Sequence, residues 1–162
     1  MSGTIGNSAT SAADYGCLIA STAMMATDMG HRVTPDELNA RITAAGAYVG
    51  PDGDLMDDDT ITAVFPDIRS EGARQEFPAS LSLSRDEGAI LCLDAVAYGV
   101  NTVPGSTHFV YAVYWDGSMI GWNDPWGGVY KTFSVAEASA LMHDSTPVLK
   151  YRLTDSWRWW GG

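Results

Sequence analysis

The chain has 162 residues, which is enough for one domain with a full hydrophobic core. A hydrophobic content of 46% together with 17 glycines favours a compact α+β protein over a disordered one. Twenty acidic residues against nine basic ones give a formal net charge of −11, which argues against nucleic acid and anionic membranes as partners.

Cysteine usage and hydropathy suggest where the protein is made. The two cysteines, Cys17 and Cys92, are too few for a disulfide framework, and no secretory signal pattern precedes them. The longest apolar runs are too short to span a bilayer. We therefore expect a soluble protein made in a reducing compartment such as the cytoplasm, with residues 1–162 forming a single domain.

The N-terminal part predicts a loop over residues 1–16 and a helix over 17–29. The helix is apolar on nearly every side and should be buried, with Gly30 as its natural end. Cys17 would then lie on the first turn, where unpaired backbone N–H groups and the helix dipole favour a thiolate.

Two more helices are expected before the middle of the chain. Thr34-Pro35-Asp36-Glu37 is a capping box with proline at the first helical position, and Leu38 and Ile42 would point inward from the helix that follows. A short helix is predicted over 58–65, capped by Asp57.

The hydrophobic pattern changes in the second half to one typical of strands. Asp116-Gly117 predicts a hairpin turn, and Ser134 with Glu137 forms a second capping box, for a short helix that ends near Met142. The predicted strands cover 89–96, 107–115, 118–123, 129–133 and 146–153.

A cysteine nucleophile needs a base within hydrogen-bond reach and a group that orients the base. His31 is expected in an exposed turn and His143 at a helix end, which leaves His108, at the start of a strand behind a glycine-proline loop. Counting from the hairpin turn places Thr107 and His108 opposite Asn123 and Asp124. Asp124 is the expected orienting residue, and Asn123 is the alternative.

The chain resembles the bacteriocin-processing (double-glycine) peptidase-like branch of the papain-like cysteine peptidases, a branch found in phage genomes and among secreted bacterial hydrolases. The resemblance runs from about residue 6 to residue 153. It is carried by Gly6-Asn7-Ser8, Asp14-Tyr15-Gly16-Cys17-Leu18-Ile19, Ala23-Met24, Thr34-Pro35-Asp36-Glu37-Leu38-Asn39, Gly46-Ala47-Tyr48-Val49, Thr107-His108-Phe109-Val110 and Asn123-Asp124-Pro125-Trp126-Gly127-Gly128.

The resemblance implies a papain-like fold, with N-terminal helices and the cysteine-bearing helix packed on a C-terminal antiparallel sheet. It implies that Cys17 is the nucleophile, His108 the general base and acid, and Asp124 the orienting residue. Family members place a glutamine six residues before the cysteine to bind the oxyanion, but this chain has Ser11 there, with Asn7 nearby. The expected substrate is a peptide or a peptidoglycan stem peptide, with no cofactor.

A second interpretation is a catalytically weak or inactive papain-like module that serves as a structural or adaptor protein of a phage virion. The missing glutamine supports it, and so does the aromatic tail over 154–162, in which Trp157, Arg158, Trp159 and Trp160 are candidate partner-binding residues. A weaker third interpretation is an inhibitor whose acidity fits a basic partner. The acidic run over 52–59 lacks the full calcium-loop pattern, so no metal site is expected.

Overall fold

The computed structural model describes residues 5–6, 12–48, 55–56, 59–74, 83, 86–143 and 148–154, and within them the side chains other than those of 5–6, 12–15, 55–56, 72–74 and 148. The helices are α1 (Ala12–Asp28), α2 (Pro35–Ala44), α3 (Thr60–Val64) and α4 (Val135–Ser139). The strands are β1 (Ile5–Gly6), β2 (Leu55–Met56), β3 (Ile68–Arg74), β4 (Glu87–Asp94), β5 (Thr107–Trp115), β6 (Met119–Asp124), β7 (Val129–Ser134) and β8 (Val148–Leu153). The predicted α+β class is confirmed.

Helix α1 begins five residues before the predicted start. Ala12 and Ala13 extend it toward the N-terminus, in keeping with the high helix propensity of alanine. It ends at Asp28, and Gly30 follows with a positive φ of 97°, a conformation that glycine adopts at little cost. As expected, the helix is buried on most sides, since Leu18, Ala23 and Met25 are each at most 2% exposed.

The predicted capping box forms at the start of α2. The Thr34 hydroxyl accepts a hydrogen bond from the Glu37 amide at 3.2 Å, and the Glu37 carboxylate accepts one from the Thr34 amide at 3.0 Å. Leu38 and Ile42 are fully buried, as the spacing predicts. The capping box and the apolar spacing are enough to predict α2, because both depend on residues that lie within one or two turns of each other.

Helix α3 is shorter than predicted. It runs over Thr60–Val64, and Asp59 takes the N-cap position without a side-chain hydrogen bond. Its backbone is helical there (φ −97°, ψ −9°), whereas a capping residue is normally extended. The predicted cap, Asp57, lies outside the described residues.

Six strands form one antiparallel sheet in the order β3-β8-β4-β5-β6-β7. Strand β3 was not predicted, because its sequence Ile-Arg-Ser-Glu-Gly-Ala-Arg carries little of the apolar signal expected of a strand. The pair β1–β2, which joins Ile5 to Met56, was not predicted either and replaces part of the loop expected over 1–16.

The β5–β6 hairpin forms at the predicted place. Strand β5 has the predicted bounds, and Gly117 in the turn has a positive φ of 92°. The Asp116 carboxylate accepts hydrogen bonds from the amides of Ser118 and Met119 at 2.9 and 2.8 Å, which closes the turn.

The sheet separates two hydrophobic cores. Helices α1, α2 and α3 cover one face, where Ile90, Cys92, Phe109 and Tyr111 point toward α1. Helix α4 covers part of the other face, which includes Leu91, Leu93, Val110, Trp122 and Ala138. Strand β4 lies between both cores, so its residues from Glu87 to Leu93 are all buried, as in a central strand.

Candidate active site

Cys17 lies in the second turn of α1, not in the first turn that the sequence predicted. It is the sixth residue of the helix, and it is 3% exposed. Backbone N–H groups at such a position bond to the carbonyl four residues earlier. Since the helix dipole acts mainly on the first turn, the predicted stabilisation of a thiolate by the helix start is reduced.

Helix α1 packs along β5, and two contacts between them define how the helix is aligned with the strand. The Ser21 hydroxyl donates a hydrogen bond to the Phe109 carbonyl at 3.0 Å, and further along the helix Asp28 contacts Tyr111. Cys17 is one turn before Ser21 on the same helix face, about 6 Å back along the axis. Two residues back along a strand span a similar distance, so we infer from this alignment that Cys17 lies near the beginning of β5.

His108 occupies the beginning of β5, as predicted, and its side chain is buried. The residue is 1% exposed and pairs across the ladder with Leu93. Its Nε2 lies 2.9 Å from Oδ1 of Asp124, which is 2% exposed. The structure therefore brings together His108 and Asp124.

Three groups hold the Asp124 carboxylate. Besides His108, the Tyr98 hydroxyl donates to Oδ2 at 2.7 Å and the Trp126 amide donates to Oδ1 at 2.9 Å. Burial alone would raise the pKa of Asp124, but the hydrogen bonds from Tyr98, Trp126 and His108 outweigh it and hold the pKa below its usual range. An ionised carboxylate only accepts hydrogen bonds, so Nε2 of His108 carries the hydrogen and donates.

The predicted register between β5 and β6 is wrong, although the contact it was meant to explain is present. Asn123 pairs with Tyr111 rather than with His108, because the turn places Trp115 opposite Ile120 and the bulge after Ala112 shifts the ladder by only one residue. This register makes His108 and Asp124 diagonal neighbours on one face of the sheet. Asn123 points to the opposite face, so Asp124 and not Asn123 meets the imidazole.

Two aromatic rings enclose the His108 imidazole. Tyr98 is stacked on it with ring centroids 5.5 Å apart, and Trp126 meets it edge-on at 5.2 Å. Trp126 belongs to the motif quoted above, but Tyr98 was missed. It lies in the turn after β4, where no sequence spacing connects it with Asp124.

Strand alternation places the His108 ring on the face of the sheet away from α1. Leu93, its ladder partner, belongs to the core with Val110 and Trp122, whereas Cys17 belongs to the core on the α1 side. Because the Cys17 and His108 side chains belong to opposite faces of the sheet, they can meet only at the beginning of β5, where the strand ends.

A groove of about 410 Å³ lies between α1 and the turn that joins β6 to β7. It is on the α1 side of the sheet, where Ala20 is one turn beyond Cys17 and where Asn123 points away from the face that carries His108 and Asp124. The lining is mostly apolar and consists of Ala20, Ala23, Met24, Thr27, Asp28, Val33, Pro35, Asn123, Pro125 and Gly128. Its size falls within the range of small-molecule and peptide side-chain pockets.

The prediction that His31 is an exposed turn residue is wrong. It is partly buried, its Nε2 lies 2.7 Å from Oδ1 of Asp67, and its ring stacks on Phe65 at 4.5 Å. This pair links the segment after α1 to the segment before β3. Cys92 is 1% exposed in the core beside α1, in keeping with the small buried residue that its strand predicts.

Several predicted site residues lie outside the described residues. These are the oxyanion candidates Asn7 and Ser11 and the tail residues Trp157, Arg158, Trp159 and Trp160. Over the ranges that the structure does describe, no three histidine, cysteine or carboxylate side chains gather as metal ligands would. Nor does any helix there have the length and apolar character needed to cross a membrane.

No family model matches the chain, and neither a curated protein nor a solved structure does so.

Proposed function

We propose that the chain is a papain-like cysteine hydrolase that cleaves a peptide or amide bond through an acyl-enzyme. The observation that carries the proposal is the buried pair of His108 and Asp124, with Nε2 and Oδ1 2.9 Å apart. A carboxylate that fixes an imidazole in this way is the orienting half of a catalytic triad. The position of Cys17 beside the start of β5 supports its role as the third member.

The pair prepares His108 to act as a base through its second nitrogen. Because Nε2 donates to Asp124, Nδ1 keeps its lone pair and can take a proton. When Nδ1 is protonated, the negative charge of Asp124 stabilises the imidazolium, and the aromatic rings of Tyr98 and Trp126 keep the imidazole in place.

In the proposed reaction, the Cys17 thiol passes its proton to Nδ1 of His108, and the sulfur attacks the substrate carbonyl carbon. The C–N bond of the resulting tetrahedral species then breaks, and His108 returns the proton to the leaving amine. Water next gives a proton to His108 and attacks the thioester. The S–C bond breaks, the carboxylic acid leaves, and the proton returns to sulfur.

The proposed substrate is a peptide or a peptidoglycan stem peptide, and the groove beside α1 is the proposed place for one of its side chains. Its lining residues Ala20 and Asn123 are close in the sequence to Cys17 and Asp124, and its mostly apolar lining fits a small apolar side chain better than a charged one. No cofactor is needed for this chemistry.

Selective alkylation of Cys17 tests the proposal. We expect iodoacetamide at neutral pH to label Cys17 at least about tenfold faster than Cys92, because a thiolate paired with an imidazolium reacts faster than a neutral thiol. Cys92 is a matched control, since it is 1% exposed against 3% for Cys17. Peptide mapping by mass spectrometry gives both rates from one sample.

Replacing His108 by Ala should bring the Cys17 rate down to that of Cys92 in a chain that still folds. Equally slow labelling of both cysteines in the unmodified protein would contradict a hydrolase. A difference between the cysteines that survives His108→Ala would show that exposure alone, and not the imidazole, sets the rate.

The burial of Cys17 and His108 favours a second candidate, a catalytically inactive papain-like module that acts as a structural or adaptor protein of a phage virion. Cys17 is 3% and His108 1% exposed, which leaves little room for a substrate carbonyl. Under this proposal, a Cys17→Ala protein assembles normally, whereas deletion of residues 155–162 prevents assembly. Normal assembly of the deleted chain would count against the adaptor.

A further inference from the structure

A residue outside the predicted triad contacts both His108 and Asp124. Tyr98 is half-buried in the turn that follows β4. Its hydroxyl donates to Oδ2 of Asp124 at 2.7 Å, while its ring lies nearly parallel to the His108 imidazole, at an angle of 19°. One side chain thus fixes the carboxylate by a hydrogen bond and the imidazole by stacking.

Two further groups contact Tyr98, one at its hydroxyl and one at its ring. The Trp122 indole N–H donates to the Tyr98 oxygen at 3.3 Å, and the Lys131 ammonium lies 4.7 Å from the centre of the Tyr98 ring. Because the Tyr98 oxygen accepts from Trp122, its own hydrogen is left for Asp124. The chain of donors therefore runs from Trp122 through Tyr98 to the carboxylate.

We propose that Tyr98 is a positioning residue that sets the proton affinity of His108 through Asp124. The inference rests on the proposed function in so far as it concerns catalysis. Asp124 has two oxygens, and Tyr98 takes Oδ2 while His108 and Trp126 share Oδ1. The Tyr98 hydroxyl draws negative charge away from the imidazole, and it prevents the carboxylate from rotating.

Tyr98→Phe removes the hydroxyl and keeps the stacked ring. With one donor fewer, more of the Asp124 charge acts on the imidazole, so the pH midpoint of the His108 ring signals should be higher in this variant than in the unmodified protein. NMR of the ring protons against pH measures this midpoint without any need for activity. The pH profile of Cys17 alkylation should shift in the same direction if the hydrolase proposal holds.

Tyr114→Phe is the matched control, because Tyr114 donates in the same way to Asp116, at 2.6 Å, on the exposed hairpin. It should leave the His108 midpoint unchanged. A Tyr98→Phe protein that folds and titrates like the unmodified protein would overturn the inference. A shifted His108 midpoint with slow labelling of Cys17 would support the positioning role and contradict the hydrolase.

Lys131→Gln decides the question if Tyr98→Phe does not fold. It removes the cation near the Tyr98 ring without touching His108 or Asp124, and Lys131 is only half-buried. We expect a smaller shift of the His108 midpoint in the same direction. An unchanged midpoint in this variant would also overturn the inference.

Discussion

At the scale of single residues, the Asp124 carboxylate organises the candidate site. It joins β6 to the start of β5 through His108, to the turn after β4 through Tyr98, and to its own turn through Trp126. Among the residues that the structure describes, a second aspartate, Asp67, pairs with a histidine, His31. Its side chain is 22% exposed, whereas that of Asp124 is 3% exposed.

Asp124→Asn should lower the free energy of unfolding at pH 7 by about 1–3 kcal/mol, because buried donors lose a charged acceptor. The folded-state pKa of Asp124 is below the value near 3.9 expected for an unfolded chain. Asp124 therefore stabilises the fold above about pH 4, and this contribution is lost as the pH falls through the folded-state pKa. Urea unfolding should therefore show a smaller difference in free energy of unfolding between the two proteins at pH 3 than at pH 7.

Asn123→Ala serves as the neighbouring control, since Asn123 faces the groove on the other side of the sheet. It should leave the pH dependence of stability unchanged. If the difference in free energy of unfolding between Asp124→Asn and the unmodified protein is the same at pH 7 and at pH 3, the Asp124 charge contributes nothing to stability.

The residues of the site could be predicted only in so far as their signals are local. His108 follows from its place at the start of an apolar strand, and Asp124 from its place at the end of the next strand. Tyr98 could not be predicted, because its contact with Asp124 depends on how the turn after β4 folds back over the sheet. The choice between Asn123 and Asp124 required the bulge in β5, which has no local sequence signal.

At the scale of elements, the alignment of α1 with β5 determines where Cys17 lies. The hydrogen bond from Ser21 to the Phe109 carbonyl and the contact of Asp28 with Tyr111 are polar contacts that fix this alignment, and the Ser21 bond is the one nearer to Cys17. Close packing supports it, because a Cβ at Gly88 would lie 2.8 Å from the Tyr111 ring and 3.3 Å from the Met25 side chain. Only glycine lets α1 and the sheet approach this closely at that point.

Ser21→Ala should lower the free energy of unfolding by about 1 kcal/mol, because it removes one buried hydrogen bond. It should also slow alkylation of Cys17 relative to Cys92, since α1 is then less firmly aligned with β5. Thr22→Ala is the control, because the Thr22 hydroxyl bonds within the helix to the Leu18 carbonyl at 2.8 Å. Equal effects of both variants on Cys17 would show that the contact between Ser21 and Phe109 does not position the thiol.

The elements that could be predicted are those with a cap or a regular apolar pattern. Helix α2 follows from its capping box, and β5 from its apolar run before the turn at Asp116. Strand β3 could not be predicted, because it is a polar edge strand that is held in place by β8, which is far away in the sequence. Tertiary pairing overrides weak local preference at such an edge.

At the scale of the whole molecule, β8 joins the two parts of the sheet. It pairs with β3 on one side and with β4 on the other. A charged cluster crosses this junction, where Glu87 lies 2.9 Å from the Lys150 ammonium and 2.7 Å from the Arg152 guanidinium. The Glu87 side chain is 4% exposed, so the two cations compensate a buried charge.

Glu87→Gln should lower the free energy of unfolding by about 1–3 kcal/mol, because it leaves two cations facing a neutral amide. Glu71→Gln in the same cluster should cost less than about 1 kcal/mol, since its side chain is 29% exposed and its contacts are 3.3 and 3.6 Å long. Urea unfolding measures both. A larger loss of stability in Glu71→Gln than in Glu87→Gln would contradict the view that Glu87 is the carboxylate that stabilises this junction.

The central position of β8 has a consequence for synthesis on the ribosome. The hairpin that carries His108 and Asp124 is complete once residue 124 has been added, and it can pair with β4 soon afterwards. Strands β3 and β4, in contrast, have no ladder between them until residues 148–153 are made. Strand β3 therefore has no strand partner in the nascent chain until residues 148–153 have been translated, although the helices can already pack on the finished hairpin.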